Sequence, residues 1–378
     1  MTRVVVAGYV RSPFTLARKG ALARVRPDDL AAQVVKALVG RSGVDPEAVE
    51  DLLLGCAFPE GEQGLNLARL VGLMSGLPQS VGAATINRFC GSSMTSVHVA
   101  AGSIAMGAGE AFVCAGVENM SRVPMMGFNP MPHPEFARAH PEAYMGMGET
   151  AENVARRWQI TRAEQEEFAL RSQEKAAAAL QKGLLADEIV PITGRDGVVE
   201  TDGCLRPETT LEGLAELKPA FDAQGVVTAG TSSPLTDGCA AVLICSEAHA
   251  EKHGLPVLAY VKSVAVKGCA PDVMGIGPVA ATRAALQRAE ISAHDLDVIE
   301  LNEAFASQSI ACIRDLDLDP ARVNLDGGAI ALGHPLGATG ARIVGKAASL
   351  LKREGGRYAL ATQCIGGGQG IATILEAA

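Results

Sequence analysis

The chain has 378 residues and a formal net charge of −9, so it is long enough for a sizeable core or for two to three packed units. The negative charge, with no run of five like charges and only 4% aromatic residues, argues against nucleic-acid binding. Nine cysteines without a C-x-x-C pair indicate free thiols in a cytoplasmic compartment, with neither a disulfide framework nor a metal site. No apolar run is long enough for membrane insertion, and the N-terminal run is too short for a signal peptide.

Short apolar runs alternate with Ala- and Leu-rich helical stretches along the chain. The runs cover residues 4–7, 52–54, 112–115, 257–261, 298–301 and 358–362. A helix is predicted from Asp28 to Val39, with Asp28 as the residue that caps it. Other helices are predicted to begin near Ser92, Pro278 and Thr339. The alternation predicts an α/β fold with largely buried strands.

The two ends of the chain resemble each other. When Gly55 is laid over Asn302, Val97 falls on Val344 and the apolar runs 112–115 and 358–362 overlap. We therefore predict two similar halves. The predicted divisions are residues 1–117 (completed by about 235–248) for the N-terminal half, 118–234 for an insertion, and 249–378 for the C-terminal half.

The predicted insertion differs in character from the halves. Residues 120–147 carry six of the eleven methionines, and a charged helical segment follows from about Ala163 to Lys182. A segment of this length is too long for a plain loop in a compact domain, so we expect it to have a function.

Cys90 lies in a bend just before the helix predicted near Ser92. The unpaired N–H groups and the dipole of a helix N-terminus favour a thiolate and predict a lowered pKa. Cys90 is therefore a candidate nucleophile, although a buried structural thiol is the commoner role for a cysteine.

His334 lies in the Gly-rich turn 327–340, where Pro335 restricts its backbone. In the overlay of the two halves, His334 falls opposite Asn87. If the halves pack about a pseudo-twofold axis, the two turns meet in one cleft and His334 accepts the Cys90 proton. A lone His is more often structural, so this role depends on that packing.

Two further segments follow predicted strands. Cys364 begins the sequence C-I-G-G-G-Q-G, where the bare backbone N–H groups around Gly366 meet the requirement of an oxyanion hole. The spacing does not match a dinucleotide fingerprint. Asn302 follows the run 298–301 and either fixes a water or a substrate carbonyl, or caps a turn.

Four blocks occur in order: N-R-F-C-G-S-S, N-E-A-F-A, G-G-A-I-A-L-G-H-P-L-G and C-I-G-G-G-Q-G. Together they resemble the thiolase family over essentially the whole chain. The resemblance implies the five-layered thiolase fold, with two βαβαβαββ halves and an inserted loop domain over the entrance. It also implies CoA thioesters as substrates, no other cofactor, and a homodimer or homotetramer.

The resemblance also implies a role for each site residue. Cys90 is the nucleophile, His334 activates it, and His334 with an Asn302-bound water stabilises an enolate oxygen. The N–H groups of Cys90 and Gly366 serve the oxyanion on the acylated side, and Cys364 exchanges protons with the enolate and with CoA. The implied reaction cleaves 3-ketoacyl-CoA with CoA into acetyl-CoA and a shortened acyl-CoA, as in fatty acid β-oxidation.

Three residues match family positions that contact CoA. Ser233 and Met147 resemble residues along the pantetheine arm, and Arg206 resembles a residue near the nucleotide. Each also has an ordinary explanation: Ser233 as a turn residue, Met147 in packing, and Arg206 as a solvated charge.

Departures from the family pattern bear on the subclass. Short-chain biosynthetic thiolases typically carry His where Gly146 stands, which disfavours acetoacetyl-CoA specialisation. Met274 and Phe305, however, match residues that line short-chain sites, so an acetoacetyl-CoA thiolase remains the alternative. A ketoacyl synthase relative is disfavoured by Cys364. A non-catalytic acyl-CoA or lipid carrier would be expected to lose Cys90, His334 or Cys364.

Overall fold

The computed structural model describes residues 2–378, so the first residue of the predicted N-terminal half lies outside it. The strands, in chain order, are β1 (Val4–Arg11), β2 (Thr15–Leu16), β3 (Asp51–Gly55), β4 (Gly82–Ile86), β5 (Ala111–Asn119), β6 (Ile192–Gly194), β7 (Gly197–Val199), β8 (Thr236–Ser246), β9 (Ala259–Gly268), β10 (Val298–Leu301), β11 (Tyr358–Ile365) and β12 (Gln369–Glu376). The α-helices are α1 (Pro27–Ser42), α2 (Leu67–Ser75), α3 (Ser92–Ala105), α4 (Pro134–Ala139), α5 (Met147–Arg157), α6 (Arg162–Gln181), α7 (Leu211–Ala215), α8 (Glu247–His253), α9 (Gly277–Ala289), α10 (Ala306–Leu316), α11 (Ala329–Leu332) and α12 (Leu336–Glu354).

One large mixed sheet has the strand order β10-β11-β12-β9-β1-β8-β5-β3-β4, with β2 paired to β8. Four strands of each half follow in matching order, and the halves meet where β1 and β9 pair antiparallel, with Val5 opposite Tyr260. The expected βαβαβαββ pattern is incomplete in the second half of the described chain, where an isolated bridge between Ile299 and Val323 stands in place of a counterpart to β4. Parallel pairing of β3 with β5 is repeated by β10 with β11. This arrangement gives the sheet its pseudo-twofold symmetry.

The layers alternate between helices and sheet. One core cluster lies between the first half of the sheet and α1 and α2, and another lies between the second half and α9 and α10. Helices α3 and α12 pack in the centre, in a cluster with strands of both halves. This is the five-layered arrangement that the resemblance implies. Within residues 2–378, no helix is both long and apolar enough to span a bilayer.

The segment between β5 and β8 holds α4 to α7 and the β6–β7 hairpin, and buried charges join it to the core. Arg11 of β1 is buried and donates to Glu188 (2.7 Å) and to Asp202 (2.6 Å), both of which lie in this segment. Ser172 of α6 donates to Glu303 at 2.6 Å. These contacts hold the segment over the cleft described below.

The predicted cap of α1 is wrong. The helix begins at Pro27, whose missing N–H suits the first helical position, and Arg26 occupies the cap position without a side-chain cap. Asp28 lies in the first turn, where its carboxylate accepts from the Arg26 guanidinium at 2.7 Å.

Candidate active site

The two central helices begin side by side. Ser93, in the first turn of α3, accepts a hydrogen bond from the Ala341 N–H of α12 at 2.9 Å. A Cβ at Gly340 would lie 2.2 Å from the Met94 nitrogen, so the glycine allows the helices to approach this closely. As a result, Cys90 before α3 and His334 before α12 open into the same cleft.

The cleft has a volume of about 520 Å³ and lies between the central helices and the inserted segment. Most of the site residues predicted from sequence line it; these are Cys90, His334, Cys364, Ser233, Met147, Met274 and Phe305. Asn302 and Gly366 are not among the lining residues, but Asn302 contacts His334 and Gly366 lies beside Met147. Two thiols and an imidazole therefore share one largely apolar space.

Cys90 is buried, and the backbone N–H groups of Gly366 and of Cys90 itself lie near enough to its sulfur to favour the thiolate. Burial raises the pKa of the Cys90 thiol to about 12, and the two N–H groups act in the opposite direction. The prediction of a lowered pKa from the helix N-terminus is therefore wrong for the free protein. The thiol is protonated at neutral pH and must lose its proton to act as a nucleophile.

His334 is held as a neutral imidazole in one tautomer. Thr339 donates its hydroxyl proton to the Pro335 carbonyl at 3.0 Å, so its oxygen accepts from Nδ1–H of His334 at 2.6 Å. This contact leaves Nε2 as an unprotonated acceptor. Burial, followed by the positive charge of Arg342, lowers the pKa of His334 to about 3.

Asn302 directly follows β10, and its Nδ2 lies 3.4 Å from Nε2 of His334. Its Oδ1 is buried and has no hydrogen-bond partner within residues 2–378. Buried polar atoms normally have a partner, so the free oxygen leaves capacity for a water or a substrate group. The sequence alternatives for Asn302 were a cap and a ligand contact, and this geometry favours the second.

Cys364 lies near the end of β11 and is buried. Burial raises the pKa of its thiol well above the usual value, and a negative charge on Cys90 would raise it further. The two thiols are thus electrostatically coupled. Only one of them is readily charged at a time, a property that suits a nucleophile and a separate proton carrier.

The predicted binding residues fall into two groups. Ser233 donates to the Ala304 carbonyl at 3.2 Å, and Phe305 packs edge-on against Phe221 with ring centroids 5.8 Å apart. Met147 begins α5, and Met274 is buried in a short helical turn. Arg206 does not line the cleft. It is exposed, and its backbone N–H donates to the side chain of Gln173.

Within residues 2–378, no group of three or more His, Cys, Asp or Glu is arranged to hold a metal ion.

Three residues that hold the site were not assigned from sequence. Thr339 fixes the His334 tautomer, and Gln363 donates to the Cys90 carbonyl. The buried Glu118 carboxylate accepts from the N–H groups of Ala57 (2.8 Å) and Gly337 (2.9 Å), which joins the first half to the start of α12. A carboxylate at the end of a buried strand was the only sequence signal for Glu118.

Known proteins share this architecture over its full length. The family described as "Thiolase, N-terminal domain" matches residues 4–248, and "Thiolase, C-terminal domain" matches residues 255–377. Proteins called 3-ketoacyl-CoA thiolase from Bacillus subtilis and Shewanella loihica are 45% and 46% identical, with complete coverage of both chains. The chain therefore belongs to the thiolase family.

Solved structures show the same similarity. The crystal structure of human mitochondrial 3-ketoacyl-CoA thiolase in complex with CoA superposes with a TM-score of 0.92 at 39% identity. The alignment covers 100% of this chain and 98% of the human one. The predicted fold is confirmed at this level of detail, and with it the class of enzyme, an acyltransferase.

Proposed function

We propose that the protein cleaves 3-ketoacyl-CoA with CoA, giving acetyl-CoA and an acyl-CoA shortened by the acetyl unit. The observation that carries the proposal is the placement of Cys90, His334 and Cys364 around one cleft. Relatives that are nearly half identical carry the name of this activity.

The first half of the proposed cycle forms an acyl-enzyme. Cys90 transfers its proton to Nε2 of His334 as its sulfur attacks the 3-keto carbon. The bond between the second and third carbons then breaks, and its electron pair passes to the acetyl-CoA unit as an enolate. The N–H groups of Cys90 and Gly366, which contact the sulfur in the free protein, are placed to stabilise the oxyanion.

The second half of the catalytic cycle returns the protons of Cys364 and Cys90. The Cys364 thiol protonates the enolate carbon, while His334 and a water on Oδ1 of Asn302 stabilise the enolate oxygen. The Cys364 thiolate then takes the proton of incoming CoA, whose sulfur attacks the acyl group on Cys90. Cys90 leaves as a thiolate and regains its proton from His334, and no cofactor other than the CoA substrates enters the proposed cycle.

The cellular setting follows from the same proposal. The acyl-CoA shortened by two carbons can enter another round once it has been oxidised again to a 3-ketoacyl-CoA, as in fatty acid β-oxidation. None of the nine cysteines forms a disulfide among residues 2–378, which supports a reducing, cytoplasmic location.

Thiolysis of purified protein tests the function. Loss of the 3-ketoacyl-CoA absorbance is followed on addition of CoA, with acetoacetyl-CoA and longer substrates, and the products are identified by mass spectrometry. We expect CoA-dependent turnover and an acyl adduct on Cys90 when CoA is omitted. No turnover at any chain length would overturn the proposal.

We also propose that the protein is a homodimer joined at β4. Within the described chain this edge strand pairs only with β3, and α2 beside it exposes Leu70, Leu73 and Met74. Light scattering on the parent is expected to give twice the chain mass, and a Leu70→Asp/Leu73→Asp variant to give the monomer. Val198→Asp, on the exposed β6–β7 hairpin, is the control that stays dimeric. A monomeric parent would contradict this proposal.

A further inference from the structure

The catalytic cleft has two apolar lobes that meet at Met147. The Cys90 lobe is formed by Met120, Met125 and Leu336, which pack in one cluster with Cys90. The Cys364 lobe is formed by Met274, Ala304 and Phe305, which pack in a second cluster with Cys364. Met147 packs against both clusters, so it marks the boundary between them.

The chemistry assigns different parts of the substrate to the two lobes. Cys90 bonds to the 3-keto carbon, and the alkyl chain extends from that carbon. Cys364 exchanges a proton with the second carbon, which stays with the acetyl thioester. The variable alkyl chain therefore belongs beside Cys90, and the constant acetyl unit belongs beside Cys364.

The two lobes also differ in how they are closed. Met274, Ala304 and Phe305 are all buried, and Phe305 is fixed by its edge-on contact with Phe221. In the Cys90 lobe, Met120 and Leu336 are also buried, but Met125 is only half-buried. A closed lobe suits a group of constant size, whereas an open one admits chains of different length.

Met125 is an adaptable side chain on a fixed backbone. Next to it in sequence, Val123 is buried and its N–H donates to the Asn119 carbonyl. After it, the Phe128 N–H donates to the Glu60 carboxylate at 2.7 Å. These contacts hold the backbone on both sides of Met125, so its side chain is the part best able to adapt. An unbranched thioether with three rotatable bonds readily repacks around ligands of different shape.

We propose that Met125 determines how long an alkyl chain the Cys90 lobe accepts. This proposal rests on the proposed function and adds the substrate range to it.

The test compares kcat/KM for acetoacetyl-CoA, 3-oxooctanoyl-CoA and 3-oxododecanoyl-CoA. The parent is expected to use all three. Met125→Trp enlarges the wall of the lobe and is expected to lower kcat/KM for 3-oxododecanoyl-CoA at least ~10-fold, since each buried methylene changes binding about fourfold. Acetoacetyl-CoA has only a methyl group in place of the alkyl chain, so its kcat/KM is expected to fall less, and the ratio of long-chain to short-chain kcat/KM is expected to decrease.

Two variants complete the design. Met125→Ala opens the lobe and is expected to raise the ratio of long-chain to short-chain kcat/KM, which keeps the test valid even where the Trp variant folds poorly. Met126→Trp is the matched control, because Met126 is half exposed outside the cleft and its replacement is expected to leave the ratio unchanged. If the parent is active and neither Met125 variant changes the ratio of long-chain to short-chain kcat/KM, the proposed role of Met125 is overturned. A parent without any turnover would instead overturn the proposed function.

Discussion

The starts of α3 and α12 occupy equivalent places in the two halves but hold their reactive groups in different ways. Around Cys90 the sulfur is contacted by backbone N–H groups, and Gln363 holds the carbonyl of the same residue. Around His334 the ring is contacted by the side chains of Thr339 and Asn302. The nucleophile thus has backbone partners, and the base has side-chain partners.

The difference follows from what each group does during the reaction. The Cys90 sulfur is in turn a thiol, a thiolate and a thioester, and rigid backbone donors serve every one of these states without rearranging. His334 must keep one tautomer so that Nε2 stays an unprotonated acceptor, and the side-chain hydroxyl on Nδ1 favours this tautomer. The predictions below test the two arrangements separately.

Replacing the nucleophile is expected to have the largest effect. Cys90→Ser keeps the approximate size and the backbone contacts but replaces the thiol with a hydroxyl, which ionises far less readily. We therefore expect kcat to fall at least ~10⁴-fold, on the scale known for removal of a nucleophile. Steady-state thiolysis and circular dichroism of the variant are the measurements. A folded variant that retains a tenth of the parent rate would mean that Cys90 is not the nucleophile.

Loss of the second thiol is expected to separate proton transfer from nucleophilic attack. Cys364→Ala should lower thiolysis by about 10²- to 10⁴-fold, the usual contribution of general acid–base catalysis. The rate at which iodoacetamide alkylates Cys90 should remain within about threefold of the parent, since that reaction needs no second acid. An equal loss in both assays would show instead that Cys364 supports the structure around Cys90.

Thr339→Val is expected to weaken the base without removing it. The variant loses the acceptor for Nδ1–H and leaves this group unpaired in a buried site, which corresponds to about a 10-fold loss in kcat. Thr373→Val is the matched control, because Thr373 bonds Nε2 of His98, an imidazole that does not line the cleft. If both variants lose the same activity, the effect is one of general packing.

The smallest expected effect concerns pH. Because the pKa of His334 is lowered to about 3 from its usual 6.5, the imidazole stays neutral as pH falls, and kcat/KM should change less than about twofold between pH 5.5 and 8. The unfolded chain does take up this proton, so the free energy of unfolding should fall below pH 6.5, by up to ~1.4 kcal/mol per pH unit for this one residue. An activity limb with an apparent pKa near 6.5 would contradict the buried neutral imidazole.

The sequence indicated where α3 begins and, to within three residues, where α12 begins, and it predicted that the bends before them share one cleft. Cys90 and His334 lie in bends before periodic helical segments, and the internal repeat placed those bends opposite each other. Thr339 and Gln363 were not predicted because their roles depend on which atoms they contact across the cleft, and spacing along the chain does not reveal these contacts.

The direction of the Cys90 pKa was also beyond the sequence. A helix N-terminus favours the thiolate, whereas burial opposes it, and the second effect is larger here. Local sequence indicates where a helix begins but not how completely other segments cover it. In the same way, Asp28 is a residue type that often caps helices, yet α1 begins at Pro27 with Arg26 in the cap position.

Glu118 has a consequence for how the enzyme is assembled. Glu118 lies in β5 of the first half. One of the groups that donate to its carboxylate, the Gly337 N–H, belongs to α12 of the second half and reaches it only when α12 packs against the first half. Until then the charge lacks that donor, and burying it is unfavourable. The reactive thiol and its base are thus brought together by the same docking step that satisfies Glu118, so an incompletely folded chain does not present a competent nucleophile.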